Sequence, residues 1–428
     1  MQITTQACSS WRFSSLWILL ACVMLVRCGS DEQSTQTSNS SARTDQPIPF
    51  DVTNPEINSA TRELMLNYLQ QIESDYSTVE VTIKTLQTEI EGFIQQTDVI
   101  TMDRARDAWL IAHSAYELTS LHRHFANLVL TQQDKLTLNQ LQYQINHWPV
   151  LPGYIDYVDG YPDSGIVHDM NVVLELDSLR EQHGFFDVSE ASLGFHVIEY
   201  LLWGSNTNND PLRPASDYLL TTQLSADQAN NGFELDQLSN NRRRRFLAIA
   251  AQALLEDFQL LRTLWSENTL LFQRRVEGAE SADYVSSREL LSVFAESITT
   301  VLKEDLLLRS LYPMLNGDFT DSMQSPFSHS TVNTVSSQLN GLERLLLENQ
   351  TDTGTTLDSL FSSLSDDFSE FFYQNYDANK ACLILLYGDL DRLSEAGEAT
   401  KSEFEIVQCI NLLTNMIEYV GQLESETL

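Results

Sequence analysis

The placement of proline constrains the fold of this chain more than any other feature of its sequence. All ten prolines fall in four short clusters, at residues 47–55, 149–162, 211–214 and 313–326. Proline breaks the interior of a helix, and the long segments between the clusters carry apolar residues at the three- and four-residue spacing of an amphipathic helix. No hairpin signature or run of alternating strands competes with that pattern. The sequence therefore predicts an all-α protein.

The helical segments divide at an asparagine-rich stretch, residues 205–241, into two predicted helical bundles. A chain of 428 residues, of which 42% are hydrophobic, is long enough to bury two cores. We expect an N-terminal bundle over residues 49–235 and a C-terminal bundle over residues 236–428. Their helices are expected at residues 56–97, 101–130, 133–146 and 188–203, and then at residues 243–275, 284–310, 331–349, 355–395 and 402–425.

Residues 1–27 have the layout of a secretory signal peptide rather than of a folded element. Arg12 supplies a positive start, and the apolar run from Leu16 to Val26 is too short to span a bilayer. The polar residues 28–48 that follow have almost nothing to bury, which predicts a disordered tether.

Cys28 at the start of this tether resembles the acylated cysteine of a bacterial lipoprotein, and Cys22 is the alternative acylation site. The resemblance implies a location in the cell envelope of a Gram-negative bacterium, facing the periplasm. Gly29 after the cysteine suits sorting to the outer membrane. The expected partner is therefore the membrane itself, contacted through a lipid anchor.

The charge of the chain excludes one class of partner. The formal net charge is -35, and binding to phosphates needs clustered lysine and arginine, so no nucleic acid is expected as a partner. The only basic cluster is Arg242 to Arg245, which we interpret as the solvated first turn of a helix.

Cys382 and Cys409 are the cysteines left in the mature body. In an oxidising compartment they can form a disulfide between neighbouring helices. Two free, buried thiols are the alternative, because a sequence does not show whether two side chains meet.

The segment GFHVIEYLLWG, Gly194 to Gly204, reads as an apolar helix that contains a histidine and a glutamate three residues apart. Asp187, with a glutamate three residues on, predicts a capped helix start, and Gly204 predicts the end of a helix of about four turns. His196 and Glu199 would then lie one turn apart on one face, where imidazole nitrogen and carboxylate oxygen can share a metal ion.

That pair does not by itself complete a metal site, so further ligands must come from other helices. Gly194 lowers helix propensity, which predicts the close approach of another helix or of a ligand at this turn. The same H-x-x-E spacing also occurs where a histidine is hydrogen-bonded to a neighbouring glutamate, and this structural alternative stays open. The motif is not the H-E-x-x-H of zinc peptidases.

Four segments together resemble the imelysin family. GFHVIEYLLWG resembles the G-x-H-x-x-E signature of that family. The others agree with the family in their order along the chain: ARDAWLIAHSAYELTSLHR from Ala105, HWPVLPGYIDYV from His147, and SPFSHSTVNTVSSQLNGLERLL from Ser325. The resemblance implies an exported protein of two helical domains, with the signature near their junction.

By that resemblance His196 and Glu199 are candidate ligands of a metal ion, iron or zinc. The resemblance also implies a set of candidate pocket residues: Tyr116, Trp148, Asp156, Gly194, Ser325 and Ser328. Several have structural alternatives. Trp148 can anchor its loop, Asp156 can cap a turn, and either serine can be the N-cap of a helix that begins near Thr331.

Two departures from the family pattern remove expected carboxylates. Ser120 stands where the family has a glutamate, and Leu151 stands where an acidic residue follows the Trp-Pro pair. His122 and His124 cannot both replace them, because residues two apart point to different faces of a helix.

Three functions are consistent with this resemblance. The first is a non-enzymatic envelope lipoprotein that binds a metal ion or small ligand between its domains and serves iron acquisition, with iron-uptake components as partners. The second is a metal-dependent peptidase, which needs a further protein ligand and an open position for water. The third is a non-catalytic interaction scaffold. We favour the first, because no protease constellation can be assembled from these residues, so no catalytic residue is assigned.

Overall fold

The proline-free segments of the chain fold as helices. The computed structural model describes residues 55–207, 211–278, 285–347, 366–395 and 401–425. No β-strand occurs within these residues, which confirms the prediction of an all-α protein. In chain order the helices are α1 (Pro55–Gln95), α2 (Val99–Glu117), α3 (Ser120–Val129), α4 (Gln132–Asn146), α5 (Pro152–Ile155), α6 (Leu176–Gln182), α7 (Phe195–Trp203), α8 (Ala226–Asn230), α9 (Ser239–Glu277), α10 (Ser287–Thr300), α11 (Tyr312–Leu315), α12 (Phe319–Ser322), α13 (Thr331–Leu347), α14 (Asp366–Glu395) and α15 (Glu403–Ser425).

Short irregular helices complete this framework. Two 3₁₀ turns, Ala215–Tyr218 and Leu235–Gln237, lie in the asparagine-rich connection, and a π-helical segment, Val301–Leu311, continues α10 into α11. A π-helix is rare and is frequently found at functional sites. The first part of the helix expected at residues 355–395 lies outside the described residues.

The single helix predicted over residues 101–130 is in fact two. Helix α2 starts with a capping box between Asp98 and Thr101 and ends at Glu117. The Thr119 hydroxyl then donates to the carbonyl oxygen of Tyr116 at 2.6 Å, and its backbone N–H donates to the same oxygen. These bonds interrupt the helical hydrogen-bond pattern, because side chain and backbone compete for one carbonyl, and α3 begins at Ser120.

The core is built around the two longest helices. Helix α1 packs along both α2 and α9, while α13 packs on α2 and α14, and α15 packs on α10 and α14. Helix α7 lies against α2, α4 and α9. The described residues belong to one compact unit by their contacts, and the predicted boundary near residue 235 stays a prediction.

The interpretation of Arg242 to Arg245 as a solvated turn is wrong, because only Arg245 is exposed. The buried Arg242 guanidinium donates to four backbone carbonyl oxygens between residues 166 and 172, at 2.8 to 2.9 Å. Arg243 donates to the carboxylate of Asp156. Arg244 donates to the carbonyl oxygens of Ile94 and Tyr218. The three arginines therefore bind the start of α9 to the turns between residues 166 and 172, to Asp156, and to the end of α1.

The described part of the chain also answers the question about the cysteines. Cys382 on α14 and Cys409 on α15 are joined in a disulfide, with their Cα atoms 5.6 Å apart. The signal peptide, the tether and the acylation sites Cys28 and Cys22 lie outside the described residues. Among the residues that are described, no helix is both long and apolar enough to cross a membrane.

Candidate functional site

The signature helix α7 is shorter than the sequence predicts. It begins at Phe195 rather than near residue 188, so it has nine residues, and all nine are buried. The predicted cap, Asp187, instead accepts hydrogen bonds from the backbone N–H and hydroxyl of Ser189 in a local turn. Gly204 ends the helix as predicted, with a φ of 68° and its N–H donating to the Tyr200 carbonyl oxygen.

Gly194 marks the close approach that its position predicts. Its φ is 97°, a backbone conformation that L side chains rarely adopt, and a Cβ atom there would lie 2.6 Å from the carbonyl oxygen of Gln144 and 2.7 Å from that of Ile145. The close neighbour is the C-terminal end of α4. Only glycine lets the signature helix begin against that backbone.

Two side chains of α2 hold the ends of the signature helix. The indole N–H of Trp109 donates to the carbonyl oxygen of Phe195 at 2.8 Å. The guanidinium of Arg106 donates to the carbonyl oxygen of Leu202 at 2.8 Å, which satisfies one of the carbonyls that a helix end leaves free. Helix α7 is therefore fixed in position from its first turn to its last.

His196 and Glu199 are hydrogen-bonded to each other. His196 Nδ1 lies 2.8 Å from Glu199 Oε2, and Glu199 Oε1 accepts from both the backbone N–H and the hydroxyl of Ser328. Both carboxylate oxygens of Glu199 thus have partners, and they tie α7 to the segment before α13. His196 Nε2 has no hydrogen-bond partner within the described residues.

A small cavity lies beside His196. Its volume is about 20 Å³, which accommodates a single water molecule or ion. Most of its lining is polar, and nine residues contribute: Glu117, Arg123, Asn146, Trp148, His196, Asp305, Arg309, Gln324 and Gln338.

Glu117 is a buried carboxylate beside His196 that is not among the residues predicted from the sequence motifs. It accepts hydrogen bonds from Asn146 at 2.6 Å, from Gln338 at 2.7 Å and from Arg123 at 3.2 Å. Burial opposes its ionisation, but the charge of Arg123 and the hydrogen bond from Gln338 favour the carboxylate, so its pKa lies below the ordinary value. The signal was in the sequence, since His113 and Glu117 are one turn apart on one face of α2.

Asp305 supplies a second carboxylate from the π-helical segment. It lies 2.9 Å from His124 Nε2 and 3.8 Å from the Arg123 guanidinium. Burial opposes its ionisation, yet these two partners lower its pKa to about 2. His122 points elsewhere, to Asp75 and Tyr68, so the prediction that His122 and His124 diverge is confirmed.

The metal site predicted at His196 and Glu199 stays a prediction. In the described parts of the chain, no group of three or more histidine, cysteine, aspartate or glutamate side chains is placed to hold a metal ion. The carboxylates that line the cavity already share Arg123. Imidazole and carboxylate groups are the donor types of a metal site, but in this structure they are not positioned around one common point.

The other predicted pocket residues are divided between this site and its surroundings. Trp148 lines the cavity, where Arg309 donates to its carbonyl oxygen and lies over its ring. Tyr116 packs on Phe195, and burial raises the pKa of its hydroxyl to about 12.

The two candidate serines do not cap α13. Ser328 is bonded to Glu199, and the Ser325 hydroxyl is bonded to that of Thr334, 2.8 Å away. The first N–H groups of α13 donate instead to Asp391, a residue of α14 distant in sequence. The expectation of a serine N-cap is wrong because a carboxylate from another helix takes that role.

Asp156 is the centre of a separate, fully buried ion-pair cluster. Its carboxylate lies 2.8 Å from the guanidinium of Arg213 and 2.5 Å from that of Arg243, and both arginines are buried. It also accepts from the backbone N–H of Tyr157. Burial opposes its ionisation, but the two guanidinium groups hold its pKa far below the ordinary range. The cluster joins the turn after α5 to the start of α9.

A neutral histidine holds the segment before the signature helix. His183 Nδ1 accepts from the backbone N–H groups of Ser192 and Leu193, both at 3.2 Å. Its Nε2 lies 3.2 Å from the carbonyl oxygen of Tyr143. Burial disfavours the charged imidazolium and lowers the pKa of His183 to about 4.

We expect the free energy of unfolding to fall as the pH drops from about 6.5 to about 4, because the unfolded state then binds a proton at His183 that the folded state does not. His183→Asn keeps an acceptor but does not titrate, so it should reduce this slope. The variant should keep part of the slope, because burial also lowers the pKa values of His113 and His147 to about 4. Denaturant titrations across this pH range measure the effect, and identical slopes in variant and wild type would contradict it.

Both the sequence and the fold of this chain are similar to those of known proteins. The imelysin family model matches residues 72–382. A crystal structure of a protein described as an iron-regulated protein A precursor, from Parabacteroides distasonis, superposes with a TM-score of 0.60 at 11% identity, covering 87% of this chain and 96% of that one. An imelysin-like protein from Psychrobacter arcticum gives a TM-score of 0.55 at 14% identity, covering 85% and 93%.

At such identities the two structures show a shared fold only. No curated protein matches the chain. The family model, however, covers well over half of the sequence, and it includes the signature helix, Glu117 and both serines. The chain therefore belongs to the imelysin family.

Proposed function

We propose that this chain is a non-catalytic binding protein of the cell envelope that takes up one metal ion beside His196 and serves iron acquisition. The observation that carries the proposal is the orientation of His196. A metal-binding histidine almost always bonds its second ring nitrogen to a carboxylate, carbonyl or water, and Glu199 is such a carboxylate. Nε2 is thereby left for a ligand in a cavity of about 20 Å³.

In this proposal Glu199 positions the histidine, and an ionised carboxylate of the cavity supplies oxygen. Glu117 and Asp305 are the candidates, since their lowered pKa values keep both charged at neutral pH. Binding requires one of them to give up part of its contact with Arg123, because no ligand set is grouped in advance. Imidazole nitrogen with carboxylate oxygen suits iron or zinc.

The link to iron rests on the fold shared with a protein described as iron-regulated. The envelope location rests on the N-terminal segment that ends at Cys28. The metallopeptidase alternative is less well supported, because a cavity that accommodates one water leaves no room for a substrate carbonyl beside the metal.

Metal titration of the purified protein tests the proposal. We expect the wild type to bind one equivalent of iron or zinc, measured by elemental analysis and calorimetry, and the His196→Ala, Glu199→Ala double variant to bind none. Glu199→Gln should lower affinity by roughly 10- to 100-fold, as expected for a residue that orients a ligand.

The control is Glu91→Gln, which removes one carboxylate from an exposed position on α1 and should leave affinity unchanged. Circular dichroism establishes that each variant is folded. Stoichiometric binding by a folded double variant, or no binding by the wild type, would refute the metal site.

A further inference from the structure

A second and much larger pocket shares no lining residue with the cavity beside His196. Its volume is about 400 Å³, within the range typical of small-molecule sites. The pocket lies between the segment from Gly153 to Val172 and the segment from Gln182 to Glu190. We propose that it binds a small amphipathic organic cation, that is, an aromatic or apolar body carrying an ammonium or guanidinium group.

The apolar part of this ligand would meet an aromatic wall. Phe185 and Phe186 line the pocket with their rings edge to face, 4.8 Å apart, yet they are 70% and 86% exposed. Tyr154, Ile166 and Val172 complete the wall. Large apolar side chains grouped at the rim of a concave site mark a binding surface, and aromatic faces also attract organic cations.

The polar part of the ligand is indicated by the charges. Asp169 and Glu190 line the pocket, and among the described residues no lysine, arginine or histidine does. Glu190 Oε2 is buried without a hydrogen-bond partner, although buried polar atoms nearly always have one. A cationic N–H donor would satisfy this oxygen.

The positive charge of Arg242 lies on the far side of the backbone that forms one wall of the pocket. The guanidinium of Arg242 donates to the carbonyl oxygens of Ile166, Asp169 and Val172, so it faces the backbone and does not line the pocket. The two lining carboxylates therefore outnumber this one cation. This balance favours a cationic ligand over a neutral or anionic one.

The segment that carries the phenylalanines is held in place without a ligand. The Gly184 N–H donates to the Glu190 carbonyl oxygen at 3.0 Å, and the Tyr143 hydroxyl donates to that of Val188 at 2.9 Å. Gly184 has a φ of 67°, and a Cβ atom there would overlap the Tyr143 hydroxyl. A site already ordered in this way loses little conformational entropy on binding.

Three probes that differ in charge test the proposal with the full chain: phenethylamine, phenethyl alcohol and phenylacetate. We expect calorimetry or ligand-observed NMR to show saturable binding of the amine, weaker binding of the alcohol and none of the acid. Equal binding of all three, or none by the amine, would overturn the proposal.

Two substitutions in the pocket locate the binding. Glu190→Gln should weaken binding of the amine by roughly tenfold, because a charge-assisted hydrogen bond is lost, and should not weaken binding of the alcohol. Phe186→Ala should weaken binding of both. Glu91→Gln, the surface control, and His196→Ala should change neither affinity, which separates this pocket from the proposed metal site. Amine binding unaffected by both pocket substitutions would overturn the assignment.

Discussion

Replacing Asp156 by alanine is expected to lower the free energy of unfolding by about 3–5 kcal/mol, because it leaves buried guanidinium groups without their counter-charge. Arg243 loses its carboxylate partner, and Arg213 keeps only the longer contact of 3.5 Å to Asp217, while both guanidinium groups stay buried. Arg213 already has two buried nitrogen atoms without hydrogen-bond partners.

Equilibrium denaturation measures this loss, and Asp163→Ala is its matched control. Asp163 follows Asp156 in the same turn-rich stretch, but its side chain is 94% exposed, so its removal should change stability by no more than about 0.5 kcal/mol. A loss below about 1 kcal/mol for Asp156→Ala would mean that the arginines find other partners.

Gly194→Ala is expected to lower the free energy of unfolding by at least about 3 kcal/mol, since backbone strain at positive φ is combined with a direct overlap. The added Cβ atom would lie 2.6 and 2.7 Å from two backbone oxygens of α4, which cannot rotate away as a side chain can. The start of α7 must shift instead. Because His196 is two residues further on, the variant should also lose any metal affinity of the wild type.

Gly92→Ala is the same substitution at another position, and it is expected to raise stability rather than lower it. Gly92 lies inside α1, and a Cβ atom there meets nothing within 4 Å. Alanine should therefore raise stability by about 0.5–1 kcal/mol, the ordinary difference between the two residues in a helix. Thermal and chemical unfolding of both variants give the comparison, and a Gly194→Ala protein as stable as wild type would contradict the account of the glycine.

The helices were predictable because they depend on local information. Proline positions and apolar spacing located α1, α4, α9 and α15 to within a few residues of their ends. The predicted helix boundaries were wrong where a polar side chain can stabilise either of two local structures. Asp187 could cap a helix or close a turn, and it closes a turn, because α7 begins only at Phe195, directly after Gly194.

The site was only half predictable, because its contacts join segments far apart in sequence. His196 and Glu199 were found through their spacing, and their hydrogen bond is one of the two alternatives that the spacing allows. Asp305 and Gln338 approach Glu117 from other helices, and no local pattern indicates such neighbours. Whether an arginine is buried also depends on carbonyl groups elsewhere, which is why Arg242 was misjudged.

The burial of these arginines bears on the exterior of the molecule. The formal charge of -35 counts every arginine equally, yet Arg213, Arg242 and Arg243 are committed to the interior and neutralise nothing at the surface. Buried carboxylates such as Asp156, Glu117 and Asp305 are withdrawn from the surface in the same way. The solvent-facing shell therefore remains strongly acidic, and mutual repulsion of its carboxylates opposes compactness. Dissolved cations gather diffusely around such a shell and screen it within about 10 Å at 0.1 M ionic strength. Salt should thus stabilise the exterior while leaving the buried ion-pair cluster of Asp156, Arg213 and Arg243 largely unaffected.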